Sequence, residues 1–186
     1  MKNLIFALLL SSLSLLAAEE DWKVLFNGKT LEGWTQQNEA NWRVEDGAIV
    51  VDEGAVGLLT METALESYEL ELDFRAQIGT NSGIFIETKP TVADESKECY
   101  EVNIAPPSNP FPTGSIVKRK LFEGAGEKAE WRKYRIIVKD GHVKVWLDGE
   151  MTVDYQDETP LKTGIIGLQK NDGKVEFRNI RIRALD

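Results

Sequence analysis

Three carboxylates stand at alternate positions in SYELELDFRAQI: Glu69, Glu71 and Asp73. Side chains two apart in an extended chain share a face, and a rise of about 3.3 Å per residue sets adjacent members about 7 Å apart at the backbone. From there two carboxyl groups can close to the roughly 5 to 5.5 Å at which a pair serves as acid and nucleophile in retaining glycoside cleavage. The plainer account is a solvated strand face, the commoner fate of a charge run. Arg75 continues that face. A second set of polar residues follows: Asn81 and Ser82 beside Gly83, Glu101 and Asn103 alternating with Tyr100, Val102 and Ile104, and Lys118 with Arg119. A cation, amides and one carboxylate suit a hydroxyl-rich ligand. The competing accounts are that Arg75 and Glu101 pair across strands, worth about 0.2 to 1 kcal/mol, and that Lys118 is an ordinary surface lysine. Gln169 ends GIIGLQ with Ile165 and Gly167 on its own side, which leaves space beside its amide.

The one histidine, His142, follows Asp140-Gly141 in a turn, so Ser-His-Asp catalysis and histidine-based metal sites drop out. The one cysteine, Cys99, has no histidine near it in the strand pattern and reads as a structural thiol. Trp22, Trp42 and Trp131 read as packing residues. Trp34 and Trp146 are candidate platforms for a sugar ring, although alternation with Val145 and Leu147 also allows Trp146 to lie over an outer sheet face.

Strands must position all of these. WRKYRIIVKDGHVKVWLDGEMTVDYQD reads as a meander folded at Asp-Gly pairs, which supply the positive φ of a tight hairpin. WRVEDGAIVV reads as another hairpin. Strict alternation predicts a core of Tyr68, Leu70, Leu72, Phe74, Val102, Ile104, Tyr134, Ile136, Val138, Val145, Leu147, Leu168, Phe177 and Ile180. APPSNPFPTGSIVKRK holds four of the six prolines and reads as a loop to about Gly114, long enough to rim a site. No stretch keeps a helical period, although 61–67 has room for one helical turn. The expected fold is all-β, two antiparallel sheets packed face to face.

Residues 1–18 carry a Lys, an apolar run and a small Ala17-Ala18 pair before Glu19, the parts of a secretory leader. That run is too short for a span, which needs about 20 apolar residues. Export to the periplasm or medium is expected, with residues 19–186 as a single domain of about 168 residues. A lone cysteine forms no internal disulfide. Without Lys2 the charge goes from -9 to -10, 21 basic against 31 acidic side chains, and no basic run is interleaved with aromatics. Such a chain repels phosphate backbones, so nucleic-acid binding is not expected.

In order along the chain, LFNGKTLEGW, WRVEDGAIVV, GLLTMETALESYELELDFRA, NSGIFI, YEVNI, TGSIV, EWRKYRIIVKDGHVKVWLDGE, GIIGLQ and VEFRNIRIRAL resemble the 3-keto-disaccharide hydrolase-like domain family, from about Val24 to Leu185. The resemblance implies a concanavalin A-like jelly roll whose concave sheet carries a sugar site, and action on glycosides already oxidised at C3. With that substrate class, the expected catalytic group is Glu101, Arg75 and Lys118, and the expected substrate contacts are Asn81, Ser82, Asn103, Gln169 and Trp146. A C3 ketone acidifies the hydrogen on C2, so one base and one stabiliser of the enolate oxygen suffice for elimination of the C1 substituent, and water then adds. Glu101 is the expected base, with Arg75, Lys118 or a divalent cation on the acidic face as stabiliser; no clustered His/Asp motif marks a metal site. A sugar oxidoreductase is the implied partner, since the ketone must be made. The sequence departs from the family where many members follow YEVQI with an acidic residue: here Asn103 replaces the Gln and Ala105-Pro106 follows. The alternative is a non-catalytic carbohydrate-binding or scaffold module on the same sandwich.

Overall fold

Three Asp-Gly pairs bend the chain into hairpins. Asp46 and Gly47 have φ of 47° and 78°, Asp140 and Gly141 50° and 76°, Asp148 and Gly149 52° and 88°. This left-handed pair is what a two-residue turn needs to match strand twist. The turns join β3 (Arg43–Glu45) to β4 (Ala48–Val51), β9 (Arg132–Lys139) to β10 (His142–Leu147), and β10 to β11 (Glu150–Gln156). In the computed structural model, which describes residues 21–63 and 65–186, the other strands are β1 (Lys23–Val24), β2 (Thr35–Gln36), β5 (Gly57–Glu62), β6 (Tyr68–Ala76), β7 (Ser82–Ile86), β8 (Tyr100–Ile104), β12 (Ile165–Lys170) and β13 (Val175–Ala184). The leader expected at 1–18 lies outside the described residues. Residues 61–62 finish β5 instead of opening a helical turn; among the described residues the one helix is α1 (Glu95–Glu98), capped by Asp94.

The strands form two antiparallel sheets. The larger, of eight strands, runs β11-β10-β9-β6-β13-β4-β3, with β1 on the far end of β13. The smaller, of five, runs β2-β5-β12-β7-β8. Both turn their apolar alternates inward onto one cluster, in which Leu70, Tyr134, Ile136, Val145, Ile84, Val102 and Phe177 are fully buried. Every residue predicted for the core lies there. Phe74 and Tyr134 stack at 4.8 Å between centroids inside it. The architecture is therefore the all-β two-sheet sandwich that alternation foretells.

β8 is the edge strand of the smaller sheet, and the 105–131 segment dresses that edge. Asn103 N donates to Ser115 O at 2.9 Å and Val117 N to Glu101 O at 3.0 Å, so residues 115–117 run beside β8 although they are too irregular to be a strand. An edge covered in this way cannot pair with another chain.

Candidate functional site on the outer face of the smaller sheet

Pairing register decides which side chains share the outer face of the smaller sheet. Glu101 lies opposite Phe85, Phe85 opposite Gly167, and Gly167 opposite Thr60. Asn103 lies opposite Gly83, and Gln169 opposite Leu58, two residues along from that row and on the same side. Two of these positions are glycines. A Cβ on Gly83 would sit 2.8 Å from Glu101 Oε1 and 2.9 Å from its Cγ, so the Glu101 carboxyl reclines over the bare backbone of β7. The Gly in NSGIFI is thus a space that Glu101 fills.

Glu101 is 6% exposed and its carboxylate accepts no hydrogen bond from any described residue. Burial is the main cause that pushes its pKa up to about 8, the charge of Glu95 adds to the rise, and Lys118 partly opposes it. Lys118 Nζ and Glu95 Oε2 pair at 2.8 Å beside it, with half-exposed side chains. That hydrogen bond holds Glu95 below the usual carboxylate range and raises Lys118. Gln169 is 8% exposed and its buried Oε1 has no hydrogen-bond partner among the described residues. A buried amide oxygen without a partner, on the same face as a carboxyl that no donor among the described residues reaches, marks a place where a ligand's groups would complete the hydrogen bonding. Phe85, Leu58 and Cys99 form a small apolar patch there with Val92 against it. Burial drives the Cys99 thiol up to about 12, with Glu101 adding to it, which makes it inert as a nucleophile.

The structure brings Glu101, Lys118, Asn103 and Gln169 to one side of the molecule. Asn103 is already engaged: its Nδ2 donates to Phe111 O and its own carbonyl accepts Tyr134 OH at 2.6 Å, so it pins the proline-rich loop to β8. Asn81 precedes β7 on this face and is bridged through its backbone to Asp172. Ser82 is turned the other way. It pairs with the inward Ile104, is fully buried and donates its hydroxyl to Gln169 O at 2.8 Å, so it is not a contact for an outer ligand.

Arg75 and Trp146 are not at this site. Both lie on the outer face of the larger sheet, because β6 pairs with β9 and β13 and not with β8. Arg75 forms a two-pronged pair with Glu176, Nε to Oε2 at 2.5 Å, and its guanidinium lies 4.7 Å from the Trp131 ring. The cross-strand partner of Arg75 is therefore Glu176, and the convergence of Arg75 with Glu101 and Lys118 does not occur. Trp146 is stacked against Arg135 at 4.5 Å. Trp34, the other candidate platform, is buried and donates Nε1 to Leu25 O at 2.9 Å. Trp22 and Trp131, read as packing residues, instead cap arginines on the outer face, Trp22 over Arg181 and Arg183, Trp131 over Arg75 and Arg178.

The alternating carboxylates are clamped. Glu69 accepts from Arg135 and from Arg183, the latter at 2.5 and 2.8 Å. Glu71 accepts from Lys133 at 2.8 Å and Arg181 at 2.7 Å. Asp73 takes Arg178 and Asn179. Burial works to raise Glu71, but the hydrogen bonds from Lys133 and Arg181 prevail and its pKa falls. A retaining pair needs one carboxyl that holds a proton and one bare carboxylate; here Glu69 accepts from guanidinium groups on both oxygens, and Glu71 and Asp73 each have a cation on Oε2 or Oδ2. Among the described residues no cluster of three or more His, Cys, Asp or Glu side chains is placed to hold a metal ion.

Sequence reasoning passed over Glu95. The signal for it is ADESKE: Asp94 caps Ser96 N at 3.0 Å while Glu98 reaches back to Ala93 N at 2.7 Å, a reciprocal cap that starts a short helix and fixes Glu95 next to Lys118.

Known proteins share this framework. A Bacteroides thetaiotaomicron protein named 3-keto-disaccharide hydrolase is 24% identical, matching 95% of this chain and 83% of its own length. A Parabacteroides distasonis protein provisionally named a glycosyl hydrolase superposes with a TM-score of 0.78 at 23% identity, covering 91% of this chain and 96% of that one. The Bacillus subtilis carbohydrate-binding module CBM66 superposes at 0.64 with 15% identity over 87% of this chain and 100% of the module, which shows the shared jelly-roll fold. The profile of one family matches residues 21–183, nearly the whole described chain. The protein therefore belongs to the 3-keto-alpha-glucoside-1,2-lyase-like domain family.

Proposed function

We propose that this protein is a carbohydrate-active enzyme that cleaves glycosides carrying a ketone at C3, with Glu101 as its acid–base group. One observation carries the reading: a buried carboxyl with no hydrogen-bond donor among the described residues, its pKa pushed up to about 8, stands on an outer sheet face beside Lys118. A catalytic base works best when its pKa lies near the working pH. Ionised Glu101 takes the proton from C2, the C–H electrons pass into the C2–C3 bond and the ketone oxygen becomes an enolate. Lys118 is placed to stabilise that oxygen once it exchanges Glu95 for it. The enolate then expels the C1 substituent, which takes the proton back from Glu101, and water adds to C1 of the enone. Gln169, whose buried Oε1 has no partner among the described residues, is a hydrogen-bonding contact for a sugar hydroxyl. The names of the family and of the Bacteroides relative support this substrate class. An oxidoreductase that makes the C3 ketone is the partner the chemistry requires.

A second reading, a binding module without turnover, is favoured by the likeness to CBM66 over that module's full length. One experiment separates them. Incubation with a 3-keto glucoside and with the unoxidised glucoside should give cleavage of the keto sugar alone, because only the ketone loosens the C2 proton. Glu101→Gln should then lower turnover by roughly 10² to 10⁴. Full activity in that variant removes Glu101 from the role, and equal binding of both sugars with turnover of neither assigns the protein to the binding class.

A further inference from the structure

The backbone bond from Val117 N to Glu101 O already sets the turn carrying Lys118 beside β8, and one buried side chain touches the neighbours of both Lys118 and Glu101. Lys118 has φ 59°, a left-handed conformation uncommon for a residue with a Cβ. The next residue, Arg119, turns inward and is 10% exposed. Its Nη2 donates to Cys99 O at 3.2 Å and its Nη1 to Asp157 Oδ2 at 3.0 Å, while the guanidinium lies 4.5 Å from the Tyr100 ring. Tyr100 OH donates to the same Asp157 oxygen at 2.8 Å. Cys99 and Tyr100 are the two residues that precede Glu101. A buried ion pair contributes little net stability over an apolar replacement, so its presence asks for another purpose. We propose that Arg119 is a positioning residue, one planar guanidinium that sets the placement of Lys118 relative to Glu101. This rests on the reading of Glu101 and Lys118 given above. A lysine at 119 keeps the charge but lacks the fork that bonds Cys99 O and Asp157 at once.

The test reads the Glu101 carboxyl directly, by carbon-13 NMR titration of glutamate-labelled full-length protein, with Glu101→Gln to assign the resonance. The charged or titratable groups facing Glu101 are Glu95 from α1, Lys118 from the turn and Cys99 from the junction between α1 and β8; of these Lys118 is the one that lowers its pKa. Lys118→Met should therefore move the Glu101 midpoint upward. Arg119→Lys should move it in the same direction with Lys118 still present, should lower kcat on a 3-keto glucoside, and should add nothing to Lys118→Met in the double variant. Should Arg119→Lys not fold, Asp157→Asn, which removes the counter-charge and keeps the shape, should give the same upward shift. A lower melting temperature with an unmoved Glu101 midpoint overturns the positioning role and leaves a structural one. A wild-type midpoint at the ordinary carboxylate value overturns the reading of the site itself, a separate result.

Discussion

A carboxyl group that loses water without gaining a donor holds its proton to higher pH, and in Glu101 this has two consequences of fixed sign. The unfolded chain releases the proton near 4.5, the folded chain at about 8. Between those values the folded form binds more protons than the unfolded, so stability is full below pH 4.5 and is lost as pH rises toward 8. A tenfold difference in proton affinity between the two forms is worth about 1.4 kcal/mol, so the loss across the window is on the order of a few kcal/mol. Glu101→Gln has no such proton to lose. In urea titrations wild type should weaken relative to this variant as pH is raised from about 5 to about 9, and parallel pH dependences would show that Glu101 is ionised in the fold throughout. Activity should run the opposite way. If Glu101 acts as base, kcat/KM on a 3-keto glucoside rises with pH to a limb near 8, because the active form is the one that burial disfavours. The acid–base role proposed for Glu101 and its cost to the fold thus share one cause.

At the scale of the elements, the larger sheet is held on its outer side by charge and the inner side by apolar packing. Glu69 is 2% exposed although it points outward, because Arg135 from β9 and Arg183 from β13 close over it. Glu69→Gln should cost about 1.5 to 3 kcal/mol, the worth of hydrogen bonds to a charged group, and should leave turnover per folded molecule unchanged. Loss of turnover with the fold intact would bring a two-carboxylate mechanism back. Local patterns were readable from residues here: the alternation in SYELELDFRA marks the inner face, and each Asp-Gly marks a turn that only left-handed φ can make. What could not be read is which strand lies beside which. Arg75 and Glu176 meet 101 residues apart, and nothing near either names the other. The same ignorance placed Arg75 and Trp146 with Glu101, whereas Glu101, Asn103 and Gln169 share an outer face, as the alternation of YEVNI and GIIGLQ implies. Glu95 was hidden because a four-residue helix has no period to detect.

For the molecule as a whole, the apolar start of the chain and the lone cysteine support the proposal that it is exported without a disulfide. Mass spectrometry of protein from its native host should find a chain beginning within a few residues of Glu19, and an intact Met1 would count against export. Stability then rests on non-covalent contacts, and the packing among them is continuous: one buried cluster takes side chains from both sheets, from Leu25 and Trp34 to Ile182. Two sheets that share a core cannot lose it separately, so unfolding should be a single cooperative step. Trp34 and Trp42 report that core by fluorescence, the strands by far-ultraviolet dichroism, and Cys99 by its thiol, which is fully buried and has its carbonyl held by Arg119. The three signals should share one midpoint in urea, with Cys99 reacting with a thiol reagent only as the core opens. Labelling of Cys99 at a rate independent of urea, well before the tryptophan signal changes, would instead show that the segment carrying α1 lifts from the smaller sheet by itself, and that the Glu95–Lys118 pair beside Glu101 opens and closes without the rest of the fold.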